Sequence, residues 1–136
     1  MKQSDTKLLS ILVPSFNEEQ NLPLVFPRLT QVLATLPAHI DYEVIVLDNA
    51  STDRTPMIAR EFCERDARWK LLRYSRNFGV EASMMAGLDH ASGDAVVVLF
   101  SDLQDPPELI PEFVRQWEEG FEVVVGVLRK RRDYRL

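Results

Sequence analysis

The sequence predicts an α/β fold: a Rossmann-like, open, mostly parallel sheet with helices on both faces. Three observations predict it. Short β-branched runs alternate with segments of helical period, strand then helix, four times over. The fourth run, residues 95–100, is continuously apolar, the pattern of a central parallel strand covered on both sides. Clusters of Asn, Asp, Ser and Gly separate the runs. Right-handed crossovers then follow from the chirality of strand–helix–strand units.

Residues 8–13 form the expected first strand. Asn21 is positioned to cap a helix reaching about Leu36, with Leu22, Val25, Phe26, Leu29, Val32, Leu33 and Leu36 on one face. Pro23 suits its first turn, whereas Pro27 removes a backbone bond and should bend it. Residues 43–47 read as the second strand, ended by Asp48-Asn49-Ala50-Ser51-Thr52-Asp53. Thr55 then caps a helix with Pro56 at its first position, burying Ile58, Phe62 and Cys63. A third, shorter strand covers residues 70–74, and an Ala- and Met-rich helix runs from the Ser75-Arg76-Asn77-Phe78-Gly79 turn to about Ala91. Ser92-Gly93-Asp94 turns the chain into the fourth strand. A further helix carries Leu109, Ile110, Phe113, Val114 and Trp117, and Gly120 stops it. The last strand is expected over residues 122–128. Phe16, Phe78 and the Met84-Met85 pair read as core.

The chain has 136 residues, 46% of them hydrophobic and 27% charged, which suits a single domain and argues against disorder. No internal repeat or linker divides residues 1–136. A single Cys, Cys63, excludes a disulfide framework and a Cys-based zinc site within one chain. No apolar run approaches the roughly 18 residues of a membrane span, and residues 1–7 lead straight into a strand pattern without a signal-peptide signature. The expectation is a soluble piece of chain in a reducing compartment. The net charge of −5 is uneven: residues 129–136 carry five basic groups and one acid, which leaves the rest at −9. So acidic a body excludes nucleic acid as a partner. The basic end carries no turn or capping signal, so the protein is expected to continue past Leu136.

In an open α/β sheet, ligands bind outside the carboxyl ends of the strands. Those ends carry Pro14-Ser15-Phe16-Asn17-Glu18-Glu19, the loop starting at Asp48, Ser75-Arg76-Asn77 and Ser101-Asp102-Leu103-Gln104-Asp105, the polar edge that a crevice for a polar ligand requires. Neither glycine-rich phosphate cradle is present, so a diphosphate here needs a cation to offset its charge. Asp102 and Gln104, two apart, project to one side of extended backbone and offer oxygen donors suited to Mg²⁺ or Mn²⁺ rather than zinc. Asp105 either joins them or caps the following helix; the bland alternative for all three is a capped turn with solvated acids. Asp48 or Asn49 reads a nucleobase edge with Asp53 bracing the loop, or else the segment is an Asx-type turn. Arg76 reaches a base, ribose or phosphate, or stands exposed without a partner; His39 and His90 receive no role.

Together these strings resemble the family-two inverting glycosyltransferases of the GT-A fold. Within them, the likeness is to polyprenyl-phosphate sugar transferases, the group of dolichol-phosphate mannose synthase and the undecaprenyl-phosphate glucosyltransferases. Ser75-Arg76-Asn77-Phe78-Gly79 and Asp102-Leu103-Gln104-Asp105-Pro106-Pro107-Glu108 are the specific stretches, and the matching segments run in family order along nearly the whole chain.

The resemblance implies a nucleoside-diphosphate sugar donor, with Pro14, Asn17, Glu18, Asp48 and Asn49 around the nucleoside and Arg76 fixing the nucleotide. Asp102 and Gln104 would bind Mg²⁺ or Mn²⁺ across the diphosphate, and Arg129 would reach phosphate groups. The acceptor implied is a polyprenyl phosphate, reached by a longer protein on the cytoplasmic side of a membrane through residues absent from this chain. A catalytic base lies beyond Leu136 or is unnecessary. Two departures stand out. Phe100 occupies the place of the first Asp of the family's Asp-x-Asp, and Asn49 stands where a second Asp is usual. A noncatalytic nucleotide-sugar module and a soluble transferase using a saccharide hydroxyl are the competing expectations.

Overall fold

The computed structural model describes residues 5–127. In chain order it contains β1 (Lys7–Ser15), α1 (Leu22–Leu33), β2 (Ile40–Asp48), α2 (Thr55–Arg65), β3 (Trp69–Arg73), α3 (Val80–His90) and β4 (Ala95–Val98). A short 3-10 turn, Pro107–Leu109, leads into α4 (Ile110–Glu118). The four strands are all parallel, in the order β3-β2-β1-β4. Ser15 pairs with Asp48 and Asp48 with Arg73, so β1, β2 and β3 end level with one another and deliver their loops to one edge.

Helices cover both faces. On one, α1 inserts Leu22, Val25, Phe26, Leu29 and Leu33, α4 adds Ile110 and Val114, and all meet the Ile11, Val13, Val44 and Val46 side of the sheet. Phe26 stands edge-on to Phe62 and Trp69, with ring centroids 5.0 and 4.9 Å away, favourable aromatic geometry. On the other face α3 lies over Leu12 and Leu47, and Gly87 lets it approach: a Cβ there would meet Leu47 Cδ1 at 2.6 Å. A larger residue would force the Leu47 side chain, or the helix, to shift.

Several expectations are corrected. Asn21 occupies the cap position of α1, yet its side chain makes no cap bond and donates instead to Glu18 Oε2 at 2.7 Å. α1 passes through Pro27 and ends at Leu33, short of Leu36. Thr55 is the first residue of α2 rather than its cap: Asp53 Oδ1 accepts the Thr55 N–H at 2.8 Å, which frees the Thr55 hydroxyl for another loop. The continuously apolar fourth strand is shorter than its hydrophobic run and, among the described residues, lies at the sheet edge, with Val96 and Val98 each 38% exposed. The described part of the expected last strand, residues 122–127, joins no ladder. A cavity of about 510 Å³ lies between it, β4 and α4, and Val123, Val125 and Val127 face solvent because no strand flanks them. Phe16, Phe78 and Met85 are exposed rather than core: the first two lie in loops beyond the strand ends, and Met85 is on a face of α3 turned away from the sheet.

Candidate functional site

The loops after β1 and β2 are laced together by side chains. Asn17 adopts φ 50°, a left-handed conformation that Asn tolerates, and thereby presents both backbone and side chain to the second loop. Its Oδ1 accepts the Thr52 N–H at 2.9 Å, and its own N–H donates to Ser51 Oγ at 2.9 Å. The Glu18 N–H donates to the freed Thr55 hydroxyl at 2.8 Å, and the Glu19 N–H to Asp53 Oδ2 at 3.1 Å. Burial alone would raise the Asp53 carboxyl, but the hydrogen bonds from Thr55 and Glu19 outweigh it and hold the group below the ordinary aspartate range.

Asp48 lies beneath this lacing, fully buried. Its Oδ1 accepts the Ser51 N–H at 3.1 Å, while Oδ2 has no hydrogen bond among the described residues and stands 3.5 Å from Arg73 Nε. Asn49, next along, faces the other way. Its Oδ1 accepts the Phe78 N–H at 3.0 Å, and its Nδ2 donates to Asn77 Oδ1 at 2.8 Å, which also accepts the Gly79 N–H at 2.9 Å. The Ser75–Gly79 turn is therefore tied to the end of β2, and it sets where α3 begins.

At the end of β4, Ser101 Oγ donates to the Pro14 carbonyl at 3.1 Å and lies 3.3 Å from Ser15 Oγ, which fastens the fourth loop to the first. Leu103 adopts φ 65°, turning the loop so that the Gln104 N–H meets Asp102 Oδ1 at 3.1 Å. Asp105 does not cap the following helix: its Oδ2 accepts the Phe100 N–H at 3.3 Å and closes the loop.

These loops enclose a cavity of about 140 Å³ lined by Pro14, Ser15, Phe16, Glu18, Asn49, Val80, Ser83, Phe100, Ser101 and Asp102. Of the expected site residues, Pro14, Glu18, Asn49 and Asp102 border it. Asn17 and Asp48 do not line it: Asn17 is exposed and ties the first loop to the second, and Asp48 is buried at the end of β2. Gln104 is exposed outside it, and Arg76 is exposed with its guanidinium over the Phe78 ring at 4.7 Å. Arg129 lies outside the described residues. Six of the lining residues were not among the expected site residues, Ser15 and Ser101 at the strand ends among them. Phe16, read as core, stands at the cavity, as do Val80, Phe100 and Ser83. The position of Phe16 directly after a strand end was the available signal; Ser83, inside a helix, carried none.

Among the described residues no three His, Cys, Asp or Glu side chains converge on a point that could hold a metal. Asp102 nevertheless fits a hard cation of the kind held by one or two carboxylates together with substrate phosphates and water. Its carboxylate is exposed, one oxygen is engaged only by the Gln104 N–H, and the Gln104 side-chain oxygen lies in the same short loop.

The model of glycosyl transferase family 2 matches residues 10–135. An uncharacterised glycosyltransferase of Synechocystis is 43% identical over 123 residues, covering 90% of this chain and 38% of that protein. An undecaprenyl-phosphate 4-deoxy-4-formamido-L-arabinose transferase of Aeromonas hydrophila is 38% identical over 135 residues, 98% of this chain and 40% of that protein. The mannosyltransferase PcManGT of Pyrobaculum calidifontis, solved with GDP-Man and Mn²⁺, superimposes with a TM-score of 0.58 at 25% identity, covering 76% of this chain and 30% of that one. The chain thus spans about two fifths of the length of the curated relatives it matches.

Proposed function

The chain belongs to glycosyl transferase family 2 and has the GT-A fold, and from that premise we propose that it is the donor-binding part of an inverting enzyme that moves a sugar from a nucleoside-diphosphate sugar to a polyprenyl phosphate. The observation that carries this reading is the convergence of Pro14, Glu18, Asn49 and Asp102 on one cavity at the strand ends. The Aeromonas relative, named for an undecaprenyl-phosphate acceptor, supports the acceptor class, and the GDP-Man complex of PcManGT supports the donor class.

In this reading the Asn49 amide and the Pro14 backbone receive the nucleoside, Asn17 and Asp48 keep their loops in place, and Arg76 and Arg129 approach the phosphates. Asp102 and Gln104 hold Mg²⁺ or Mn²⁺, which when bound offsets charge on the departing diphosphate. An acceptor phosphate oxygen attacks the anomeric carbon from the face opposite the leaving group. The bond from that carbon to the diphosphate oxygen breaks, and the configuration inverts. A phosphomonoester with a second pKa of about 6 is already largely ionised at neutral pH, so the acceptor needs no strong base from the protein. No helix among the described residues is long and apolar enough to cross a membrane; in this reading the lipid is met through residues other than those described. The enzyme works on the cytoplasmic side of that membrane.

The test is Asp102→Ala in the full-length protein, assayed with UDP-glucose and GDP-mannose against a short-chain polyprenyl phosphate. Turnover should fall by about a hundredfold or more, together with Mn²⁺-dependent donor binding. Unchanged turnover and binding would refute the assignment.

A further inference from the structure

We infer that Ser83 is a donor-contacting residue whose hydroxyl reads the nucleobase of the nucleotide, alongside Asn49. The inference rests on the donor-site reading above and assigns a residue on α3 that no motif marks.

Ser83 lies one turn into α3. Its backbone is fully committed: the N–H donates to the Gly79 carbonyl at 3.1 Å, and its own carbonyl accepts the Tyr74 hydroxyl at 2.9 Å. The side chain is not. Ser83 is 2% exposed, and its Oγ has no hydrogen-bond partner among the described residues. A serine inside a helix commonly satisfies itself by bonding the carbonyl one turn back, here Gly79, and this one does not. A buried hydroxyl left without a partner is a standing cost to the fold. Ser83 lines the same 140 Å³ cavity as Asn49, so a bound molecule can supply what the fold withholds.

The cavity identifies the part of the donor concerned. At about 140 Å³ it is well below the roughly 300 Å³ at which pockets for whole ligands begin, so it takes a fragment of the donor. Among the described residues its border contains Glu18 and Asp102 and no Lys or Arg, so a phosphate is disfavoured here except beside a cation at Asp102, and the wall toward Asn49 and Ser83 offers a phosphate no charge partner. Pro14, Phe16, Val80 and Phe100 supply apolar wall, and Asn49 and Ser83 supply uncharged donors and acceptors. A flat heterocycle with polar edges matches that lining. Asn49 bonds the Phe78 N–H and Asn77, in the turn that opens α3, so the two reading groups are held in fixed relation.

The experiment compares Ser83→Ala with the wild-type full-length protein by calorimetry in Mn²⁺, with UDP, GDP and inorganic pyrophosphate as probes. Loss of one hydrogen bond should weaken the better-bound nucleoside diphosphate by about fivefold and narrow the preference between UDP and GDP. Pyrophosphate binding should not change, and the melting temperature should stay level or rise, since the fold loses an unpaired buried hydroxyl. Equal nucleotide affinity in the two proteins, or an equal loss for pyrophosphate, overturns the inference and leaves the donor-site reading intact. Failure of the wild type to bind any of the three refutes the donor-site reading itself. Ser83→Thr, which keeps the hydroxyl, should retain more affinity than Ser83→Ala if the alanine effect is chemical rather than steric.

Discussion

At the scale of single residues, the site is held by side chains that spend their hydrogen bonds on backbone. Asn17, Asp48, Asp53 and Asn49 each fix a neighbouring loop; the bracing role of Asp53 and a turn at Asp48 and Asn49 were legible because Asn and Asp in such strings are turn-formers, whereas the loop-fixing role of Asn17 was not. What the strings do not disclose is direction. Asp48 and Asn49 are adjacent, yet one is sealed under the loop beside Arg73 while the other faces the cavity. Only the parallel register of Asp48 with Arg73 decides which is which. The following residue, Ala50, has φ 62°, a conformation that crowds Cβ against the backbone and costs an alanine about 1–2 kcal/mol. Glycine removes the crowding but has more freedom to lose on folding, about 0.4–1 kcal/mol. Ala50→Gly should therefore raise stability slightly, by up to about 1 kcal/mol in chemical denaturation, without loss of nucleotide affinity. A clear loss of stability would mean that the Ala50 methyl is needed for packing.

At the scale of elements, the opposite end of the sheet carries a buried carboxylate that joins three strands. Glu43 on β2, 4% exposed, accepts the Ser10 hydroxyl of β1 and the Lys70 ammonium of β3, each at 2.7 Å. It also accepts the Ser92 N–H at 2.7 Å, and the Gly93 N–H bonds Ser10 Oγ at 2.8 Å, so the turn into β4 is set by the same group. Burial alone would raise this carboxyl, but the bonds from Lys70, Ser92 and Ser10 prevail and its pKa falls below the ordinary value of 4.5. A carboxyl whose folded pKa is depressed stabilises the fold above its unfolded pKa, and that contribution is lost as pH falls through the folded value. Glu43→Gln should accordingly cost about 1–3 kcal/mol near pH 7, with the gap to wild type closing below pH 4.5. A gap independent of pH would remove charge from the explanation. Little of this was legible, because Glu43 reads in sequence as an ordinary polar position opening a strand. The four-fold alternation of strand and helix, by contrast, was plain from periodicity alone. Where the described residues depart from periodicity, at residues 122–127 and in the centrality assigned to β4, the missing term among them is a neighbour: an apolar run forms a strand only when another backbone pairs with it.

At the scale of the whole molecule, charge decides how a nucleotide can be held. The chain outside residues 129–136 carries −9, and two of those acids, Glu18 and Asp102, border the cavity, with no basic group there among the described residues. A diphosphate approaching this edge alone meets repulsion that water screens only in part. A divalent ion alone fares little better, since Phe100 replaces one expected carboxylate and Asp105 has an oxygen engaged by the Phe100 N–H, which leaves Asp102 as the exposed acid of that loop. Each therefore improves the site for the other, and coupling between two ligands is reciprocal by thermodynamic necessity. In the full-length protein, saturating Mn²⁺ should tighten UDP or GDP binding by about tenfold or more. The nucleotide should tighten Mn²⁺ by the same factor, measured by calorimetry for the one and by electron paramagnetic resonance for the other. Uridine and guanosine, which carry no phosphate, should bind weakly and without regard to Mn²⁺. Nucleoside binding that followed Mn²⁺ as steeply as the diphosphates would mean that the ion orders the loops rather than neutralising the phosphates, and the charge account of this site would fall.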